Sequence, residues 1–299
     1  LIDCPGYADF VTDVRAALSV ADLAVFVVSA VEGVEVQTEA VWQMAAEQGL
    51  PRMIFVNKLD RERASFERTL ERIVALRPDR LSIYNYAHLP QLFPPQRRIN
   101  IDELPAPRLK LAILGLAIER LTAAGYVYIG MDHFALPTDE LAIAQREGSL
   151  HRNFQGYSTH AECDLVGMGV SAIGALGSSY SQNHHDLAAY NAALDAGQLP
   201  IARGLAPDAD DQLRRAVIVQ LICHFHVDFA AFEDRYALDF KKYFAQELAA
   251  LIPMQDDGLL QMDEQGMRVL PKGRLLIRNI CMLWDRHLSR TETLYSRAI

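Results

Sequence analysis

Along the first 135 residues the apolar positions alternate between two periods. Short β-branched or aromatic runs at Val25–Ser29, Met53–Asn57, Leu81–Tyr86 and Tyr126–Gly130 read as buried parallel strands, since a strand covered on both faces has no polar face to alternate with. Leu1–Ile2 reads as the tail of an earlier strand. Between these runs the spacing lengthens to that of a helix. Phe10, Val14, Ala17 and Leu18 share one face, as do Phe66, Leu70, Ile73 and Val74, and then Leu109, Ile113, Leu116 and Ala117. Gly49 and Gly125 stand where helix C-caps are expected. Strands alternating with helices predict an α/β fold on a parallel sheet or partial barrel with right-handed crossovers, its ligand chemistry at the carboxyl ends of the strands.

The pattern changes past residue 200. Arg203–Asp211, with Gly, Pro and three acidic residues, reads as a linker. Helical stretches follow at Leu213–His224, Phe229–Tyr236 and Phe240–Leu251. Gly258–Leu270, turning at Gly266, reads as a two-strand ribbon, and Lys272–Leu288 as a last helix. Helices, a hairpin and a helix in that order predict a winged-helix-like arrangement.

Composition narrows the class. The 299 residues correspond to about two domains at roughly 150 residues each, and 51% hydrophobic content excludes a disordered chain. A formal net charge of −9 argues against a general nucleic-acid or anionic-membrane binder. From residue 205 onward 14 acidic residues face 12 basic ones, so the winged-helix pattern carries no phosphate-seeking surplus. Cys4, Cys163, Cys223 and Cys281 are scattered, without the close spacing of a zinc or iron–sulfur loop, and suit a reducing compartment. No apolar run reaches the roughly 18 residues of a membrane span and no signal peptide is visible, so a cytoplasmic location is expected. Leu1 in place of Met reads as a truncated start. His184-His185 and His224-x-His226 read as ordinary polar sites; inside a helical pattern the latter pair's rings would diverge.

Two motifs carry chemistry in the front. Asp3-Cys4-Pro5-Gly6 is a D-x-P-G, and Asn57-Lys58-Leu59-Asp60 is an N-K-x-D following a strand. An Asp at a strand end can hold a hydrated Mg²⁺, and a Gly amide can approach a terminal phosphate. Asp60 could accept from the guanine N1–H and N2–H₂, Asn57 could meet the other base edge, and Lys58 could lie along the ring. Residues 1 to about 72 resemble the GTP-binding domain of elongation factor G, specifically its paralogues, with Tyr7–Phe10 and Val25–Gln37 reinforcing the match. The resemblance implies Asp3 for magnesium, Gly6 for the γ-phosphate, and Asn57, Lys58 and Asp60 for guanine. Cys4 and Tyr7 depart from the family's Thr and water-orienting His, and no G-x-x-x-x-G-K-[ST] loop occurs in this chain. GTP hydrolysis is therefore not expected.

From about residue 65 a second resemblance takes over. Leu81–Pro90 (LSIYNYAHLP), Ile129–Phe134 (IGMDHF), His151–Tyr157 (HRNFQGY), Gly167–Ile173 (GMGVSAI) and Gly273–Cys281 (GRLLIRNIC) resemble oxygen-independent coproporphyrinogen III dehydrogenase, a radical S-adenosylmethionine enzyme of haem synthesis. The resemblance implies that Tyr84 and Ala87 line the S-adenosylmethionine pocket at a barrel strand end, and that Phe154, Gln155 and Ile173 border the cofactor and substrate cavity. The family more often has Phe at position 84. Its electron comes from a [4Fe–4S] cluster on a C-x-x-x-C-x-x-C loop, and this chain has no such spacing.

The two resemblances meet within Ala64–Leu76, an amphipathic helix that suits either parent. The expected fold is α/β: parallel βα units, a partial P-loop-GTPase-like sheet running into a partial radical-SAM barrel, then a mainly helical, winged-helix-like C-terminal domain. The expected segments are 1–72, 73–204 and 205–299. A chimera without complete catalytic activity is expected, with no catalytic residue and no metal ligand assigned. No cofactor is expected to bind stably, although the parents use [4Fe–4S] with S-adenosylmethionine, and GTP with Mg. A porphyrinogen is the substrate that the resemblance implies, and no membrane, nucleic-acid or ribosome partner is expected. The alternative is a GTP-binding elongation-factor fragment. Side-chain packing across the join is expected to be poor, with cavities or exposed sheet edges.

Overall fold

The computed structural model describes residues 2–4, 8–29, 33–57, 65–161 and 163–288. Its chain divides into two compact units between Arg146 and Glu147.

The first unit runs α1 (Val11–Leu18), β1 (Ala24–Ser29), α2 (Val36–Glu47), β2 (Arg52–Asn57), α3 (Phe66–Leu76), β3 (Arg80–Ser82), α4 (Pro107–Ala123), β4 (Val127–Gly130) and β5 (His133–Ala135), and ends within α5 (Glu140–Glu147). Five strands form one mixed sheet in the order β1-β2-β3-β5-β4. β1, β2 and β3 are parallel, joined through α2 and α3 as the alternating periods predict. Gly49 and Gly125 take left-handed φ of 68° and 90° just past α2 and α4, as the C-cap reading requires.

Two strand expectations need correction. The strand is Arg80–Ser82, so only Leu81 and Ser82 of the 81–86 run belong to it. The run at 126–130 is not a parallel strand: β4 pairs antiparallel with β5, which itself lies antiparallel to β3. The cause is local, since Met131 and Asp132 leave room only for a hairpin, and a parallel return needs a crossover of a dozen residues or more.

Register separates the two faces of this sheet. Ile54 pairs with Leu81 and Leu81 with Phe134, placing these three on one face, where all are buried. Val27 pairs with Phe55, Phe55 with Ser82 and Ser82 with His133, which places these four on the other. On the edge strand β1 that second face is open. Val25 is 52% and Val27 68% exposed, against 2% for Val28 between Val27 and Ser29. The continuous apolar run had implied cover on both sides; β1 has it on one.

The joining helix α3 is well anchored. Ser65 caps it by accepting the Arg68 N–H at 3.4 Å, and Leu70 and Ile73 are buried. Trp42 of α2 donates its Nε1–H to the Leu76 carbonyl at 3.2 Å, while Arg72 donates to the Val34 carbonyl at 3.0 Å. Trp42 is also packed edge-on by Phe26 at 4.9 Å and covered by the Arg52 guanidinium at 4.5 Å. Among the described residues before α3, the face of β1 bearing Val25 and Val27 is open, and the Arg52 Nε is buried with no hydrogen-bond partner.

The second unit begins with two antiparallel assemblies that the sequence pattern did not reveal. β6 (His151–Asn153) and β7 (Gly156–Ser158) form a hairpin. β8 (Ile173–Leu176), β9 (Ser179–Asn183) and, after α6 (Leu187–Asp195), β10 (Ile201–Leu205) form a sheet in the order β10-β9-β8. Arg203–Leu205 is thus strand and not linker. α7 (Ala209–His224) starts directly afterwards, because Asp208 and Asp211 form a reciprocal capping box.

Then come β11 (His226–Asp228), α8 (Phe229–Tyr236), α9 (Phe240–Tyr243), α10 (Ala245–Asp256), β12 (Leu260–Met262), β13 (Gly266–Val269), α11 (Pro271–Arg274) and α12 (Ile277–Met282). The ribbon gains a third strand, in the order β11-β13-β12. The expected helices at 240–251 and 272–288 are each broken, the first at Phe244 and the second after Arg274. Gly266 is not the turn; Asp263 makes it by accepting the N–H groups of Gln265 and Gly266, and a Cβ on Gly266 would run into the Val227 carbonyl. The core holds Phe229 stacked on Phe240 at 4.5 Å, with Trp284 fully buried against Phe240 and Phe244.

Candidate functional site

Asp3 is exposed ahead of the turn at Ala8–Phe10, and Asn57 ends β2 opposite Ser29, at the carboxyl edge of the parallel strands. Gly6, Lys58 and Asp60, and the side chain of Asn57, lie outside the described residues. Cys4 packs, half-buried, against a cluster of Val14, Leu18, Ala24 and Ala45.

At the end of β3 the chain opens into a long loop. The Ile83 N–H still donates to the Asp132 carbonyl at 2.8 Å, so the ladder to the β4–β5 hairpin continues one residue past the strand. Tyr84, 42% exposed, follows directly, on the same sheet face as Phe55 and His133. Its ring lies 5.5 Å from that of Phe55, and edge-on to that of His133 at 5.9 Å. The hydroxyl reaches His133 Nε2 at 3.4 Å, and His133 Nδ1 is 2.9 Å from an Asp132 carboxylate oxygen. Sequence reasoning placed Asp132 and His133 in a family motif without giving them a role. The available signal was an adjacent acid and imidazole between two apolar strands.

Ala87 is exposed further along the loop, which the Gln96 amide ties to itself. Its Oε1 accepts the Leu89 N–H, and its Nε2 donates to the Ala87 carbonyl at 3.1 Å. Ala87 therefore presents a fixed backbone near Tyr84, although no side-chain chemistry of its own.

The second unit holds the other expected residues. Phe154 and Gln155 form the turn between β6 and β7, where Asn153 accepts the Gln155 N–H at 2.8 Å. Phe154 is 57% exposed, and its ring stands edge-on to Tyr180 of β9 at 5.3 Å. Burial pushes the Tyr180 phenol up, with Arg215 over its ring at 5.2 Å opposing the shift. The hairpin is held to α7 by Tyr157, which donates to the Ile222 carbonyl at 3.0 Å under the Arg152 guanidinium.

Ile173 opens β8, half-buried, behind the 167–172 loop. Buried Asn183 pins that loop by donating to the carbonyls of Gly167 and Gly169 at 3.0 and 2.9 Å. Tyr190 accepts the Gly169 N–H at 3.0 Å. A Cβ at position 167 would stand 2.8 Å from the Ile173 carbonyl carbon, so this close approach demands glycine. The loop keeps Val166, Met168 and Val170 exposed, an apolar surface beside the Ile173 strand.

The histidine pair differs from expectation. His224 ends α7 and His226 opens β11, with left-handed Phe225 between them, so the rings approach to 6.4 Å instead of diverging. His224 Nε2 bonds the Leu150 carbonyl at 3.1 Å. Among the described residues no group of three or more His, Cys, Asp or Glu could hold a metal ion, and no helix is long and apolar enough to cross a membrane.

The family model for the elongation factor Tu GTP binding domain matches residues 1–219, and that for the HemN C-terminal domain residues 208–276. The oxygen-independent coproporphyrinogen III oxidase of Pseudomonas aeruginosa is 56% identical over 236 residues, which are 79% of this chain and 51% of that protein. Its counterpart from Escherichia coli is 52% identical over 237 residues, covering 79% and 52%. That of Thermostichus vulcanus is 48% identical, covering 79% and 73%. This chain spans about half the length of the first two relatives. The solved coproporphyrinogen III oxidase (HemN) of Escherichia coli, described as a radical SAM enzyme, superposes with a TM-score of 0.85 and 44% identity over 92% of this chain and 67% of that one. The structural likeness thus reaches further than the 79% matched in sequence, and takes in part of the front. The chain belongs to the family of oxygen-independent coproporphyrinogen III oxidases over most of its length, and by the model spanning residues 1–219 also to the elongation factor Tu GTP-binding domain family.

Proposed function

We propose that this chain carries the S-adenosylmethionine-facing and substrate-facing back part of a radical SAM coproporphyrinogen III oxidase, joined to a front of elongation-factor ancestry. The observation that carries the reading is the sheet face bearing Phe55, Tyr84 and His133 beside the carboxyl ends of parallel strands, where an α/β fold binds its ligands. Tyr84 and Ala87 would meet S-adenosylmethionine; Phe154, Gln155 and Ile173 would border a porphyrinogen. Their character suits those ligands, since exposed aromatic rings and a pinned apolar loop can cover flat apolar surfaces.

The cysteines do not fit the [4Fe–4S] cluster that the reaction needs. A cluster takes thiolates converging from a short loop. Cys4 sits in an apolar cluster, Cys163 is exposed, and Cys223 and Cys281 are buried, where desolvation pushes both thiols up to about 12. No radical step is therefore assigned to these residues, and the chain by itself is inactive. Anaerobic reconstitution with iron and sulfide tests this: less than stoichiometric iron is expected, and a stable four-iron cluster overturns it.

The ancestral segments proposed are 1–72, 73–204 and 205–299. The last is a winged-helix-like domain, a reading supported by the β11-β13-β12 sheet among α7, α8 and α12. A natural fusion would show one reading frame through the codons for residues 50–90 in independent genomic reads. The second reading, a guanine-nucleotide binder, is favoured by the match over residues 1–219 and by Asn57 at a strand end. Micromolar binding of a fluorescent GTP analogue would establish it.

A further inference from the structure

We propose that Arg203 and Arg215 are the carboxylate-binding pair of the second unit, their guanidiniums holding two acid side chains of a broad apolar ligand whose body lies against Phe154 and Ile173. The proposal deepens the porphyrinogen reading above and rests on it for the identity of the ligand.

Strand register puts the parts on one face. Gln182 of β9 pairs with Ile173 of β8 on one side and with Arg203 of β10 on the other. Two residues back along β9, Tyr180 pairs with Ala175 and Leu205, so all six share a face of the β10-β9-β8 sheet. Phe154 reaches that face from the β6–β7 turn, edge-on to Tyr180 at 5.3 Å. The centre of the face is therefore apolar and aromatic, and Phe154 and Leu205 are 57% and 48% exposed.

Two cations stand over it. The Arg215 guanidinium of α7 lies 5.2 Å from the centre of the Tyr180 ring. Gln182 Oε1 accepts the Arg203 Nε–H at 2.8 Å, and Gln182 is itself held, since its Nε2 donates to the Ser171 carbonyl at 3.1 Å. Tyr180 and Gln182 are about 7 Å apart along β9, so the two guanidiniums are anchored at neighbouring points of the face.

Neither cation is neutralised. Among the described residues no carboxylate pairs with Arg203 or Arg215, whereas the adjacent Arg214 pairs with Asp210 and Glu247 at 2.8 and 2.7 Å. An arginine that serves the fold alone is paired in the manner of Arg214. Arg215 sets its guanidinium over Tyr180, and Arg203 uses its Nε on Gln182. Both Nη groups of each, part of the fork that matches a carboxylate, make no hydrogen bond among the described residues. A porphyrinogen is an apolar ring with acid side chains on its rim, the complement of an apolar centre flanked by two cations. S-adenosylmethionine, with one carboxylate beside an ammonium, does not match the pair.

Anaerobic calorimetric titration of the full chain with coproporphyrinogen III tests the assignment. Arg203→Gln and Arg215→Gln should each weaken binding about tenfold, since each loses hydrogen bonds to a charged group. Arg203→Lys should recover only part of that loss, because an ammonium keeps the charge and lacks the fork. Arg235→Gln removes another arginine lying over a tyrosine ring in the same unit, and should leave binding unchanged. An equal loss there would reduce the effect to general charge and overturn the pair. Any affinity for S-adenosylmethionine should be the same in wild type and variants; a selective loss in either Arg→Gln variant also overturns the assignment. Arg203 is exposed, so Arg203→Gln decides the matter even if Arg215→Gln does not fold. Unchanged coproporphyrinogen III binding in Arg203→Gln overturns the pair and leaves the porphyrinogen reading standing. A wild-type chain that binds no coproporphyrinogen III overturns both.

Discussion

The open sheet face makes a sharp demand on two adjacent valines of β1. Val28 is 2% exposed and Val27 is 68% exposed, although they share a strand and a side chain. Val→Ala removes two methyl groups, worth roughly 1.6 kcal/mol of transfer free energy when fully buried. The cavity left at Val28 raises the loss there to about 2.5 kcal/mol. At Val27 about a third of the transfer applies and no cavity forms, so the loss is about 0.5 kcal/mol. The loss of β-branching is common to both variants and cancels in the comparison. The expected difference is about 2 kcal/mol, or a urea midpoint separation of about 1 M at a typical slope. The chain has two tryptophans, and Trp42 lies in the first unit against Phe26. Its fluorescence in a Trp284→Phe background therefore reports the unfolding of the unit that contains β1. Equal losses at the two positions would refute the open face, and with it the placement of the ligand site there.

In the second unit, Trp284→Ala should cost about 4 kcal/mol by far-UV circular dichroism in urea, since it empties the largest fully buried side-chain site. Trp284→Phe should cost much less, because it removes a buried Nε1–H that has no hydrogen-bond partner; equal losses would contradict that. Acid should weaken the same unit. The Asp211 backbone N–H and the Arg286 guanidinium hold the Asp208 carboxyl below its usual range, and at Asp210 burial is outweighed by Arg214, Tyr243 and Arg286. The stability from a depressed carboxyl is present above its unfolded pKa of about 3.9 and is lost as pH falls through the folded value. Urea midpoints measured across pH should fall in that window, and Arg286→Gln should flatten the fall; an unchanged acid limb would clear the pairing of Arg286 with Asp208 and Asp210 of any role. A disulfide-exchange reagent at pH 8 should modify Cys163 rapidly and leave Cys223 and Cys281 intact until denaturant is added, because both are buried with thiols pushed up to about 12. Rapid modification of either would show that α7 and α12 open readily.

Local signals were legible wherever the chemistry is local. The alternation of periods places β1, β2 and the helices α1, α3 and α4, because a β-branched apolar run and a 3.6-residue repeat are each properties of a few consecutive residues. The 229–236 helix matches its expected bounds, framed by Asp228 as its cap and by left-handed Ala237. The strands at 151–158 and 173–205 were missed for the complementary reason. They are three to five residues long, and several stand half exposed, so no period develops. The break at Phe244 was hidden because Phe240 and Phe244 keep helical spacing across it; both are buried against Trp284.

The sequence by itself determined the family motifs, the absence of any cysteine spacing able to seat a cluster, and the α/β alternation of the front. Each of these is written in neighbouring residues. Only the tertiary structure decided that β5 intervenes between β3 and β4, that one face of β1 is open, and that Tyr84 meets His133 across 49 positions of chain. Those facts depend on strand register, and register follows from the hairpin at Met131–Asp132 and the burial of Leu81 against Phe134, not from any property of Tyr84 or His133 alone.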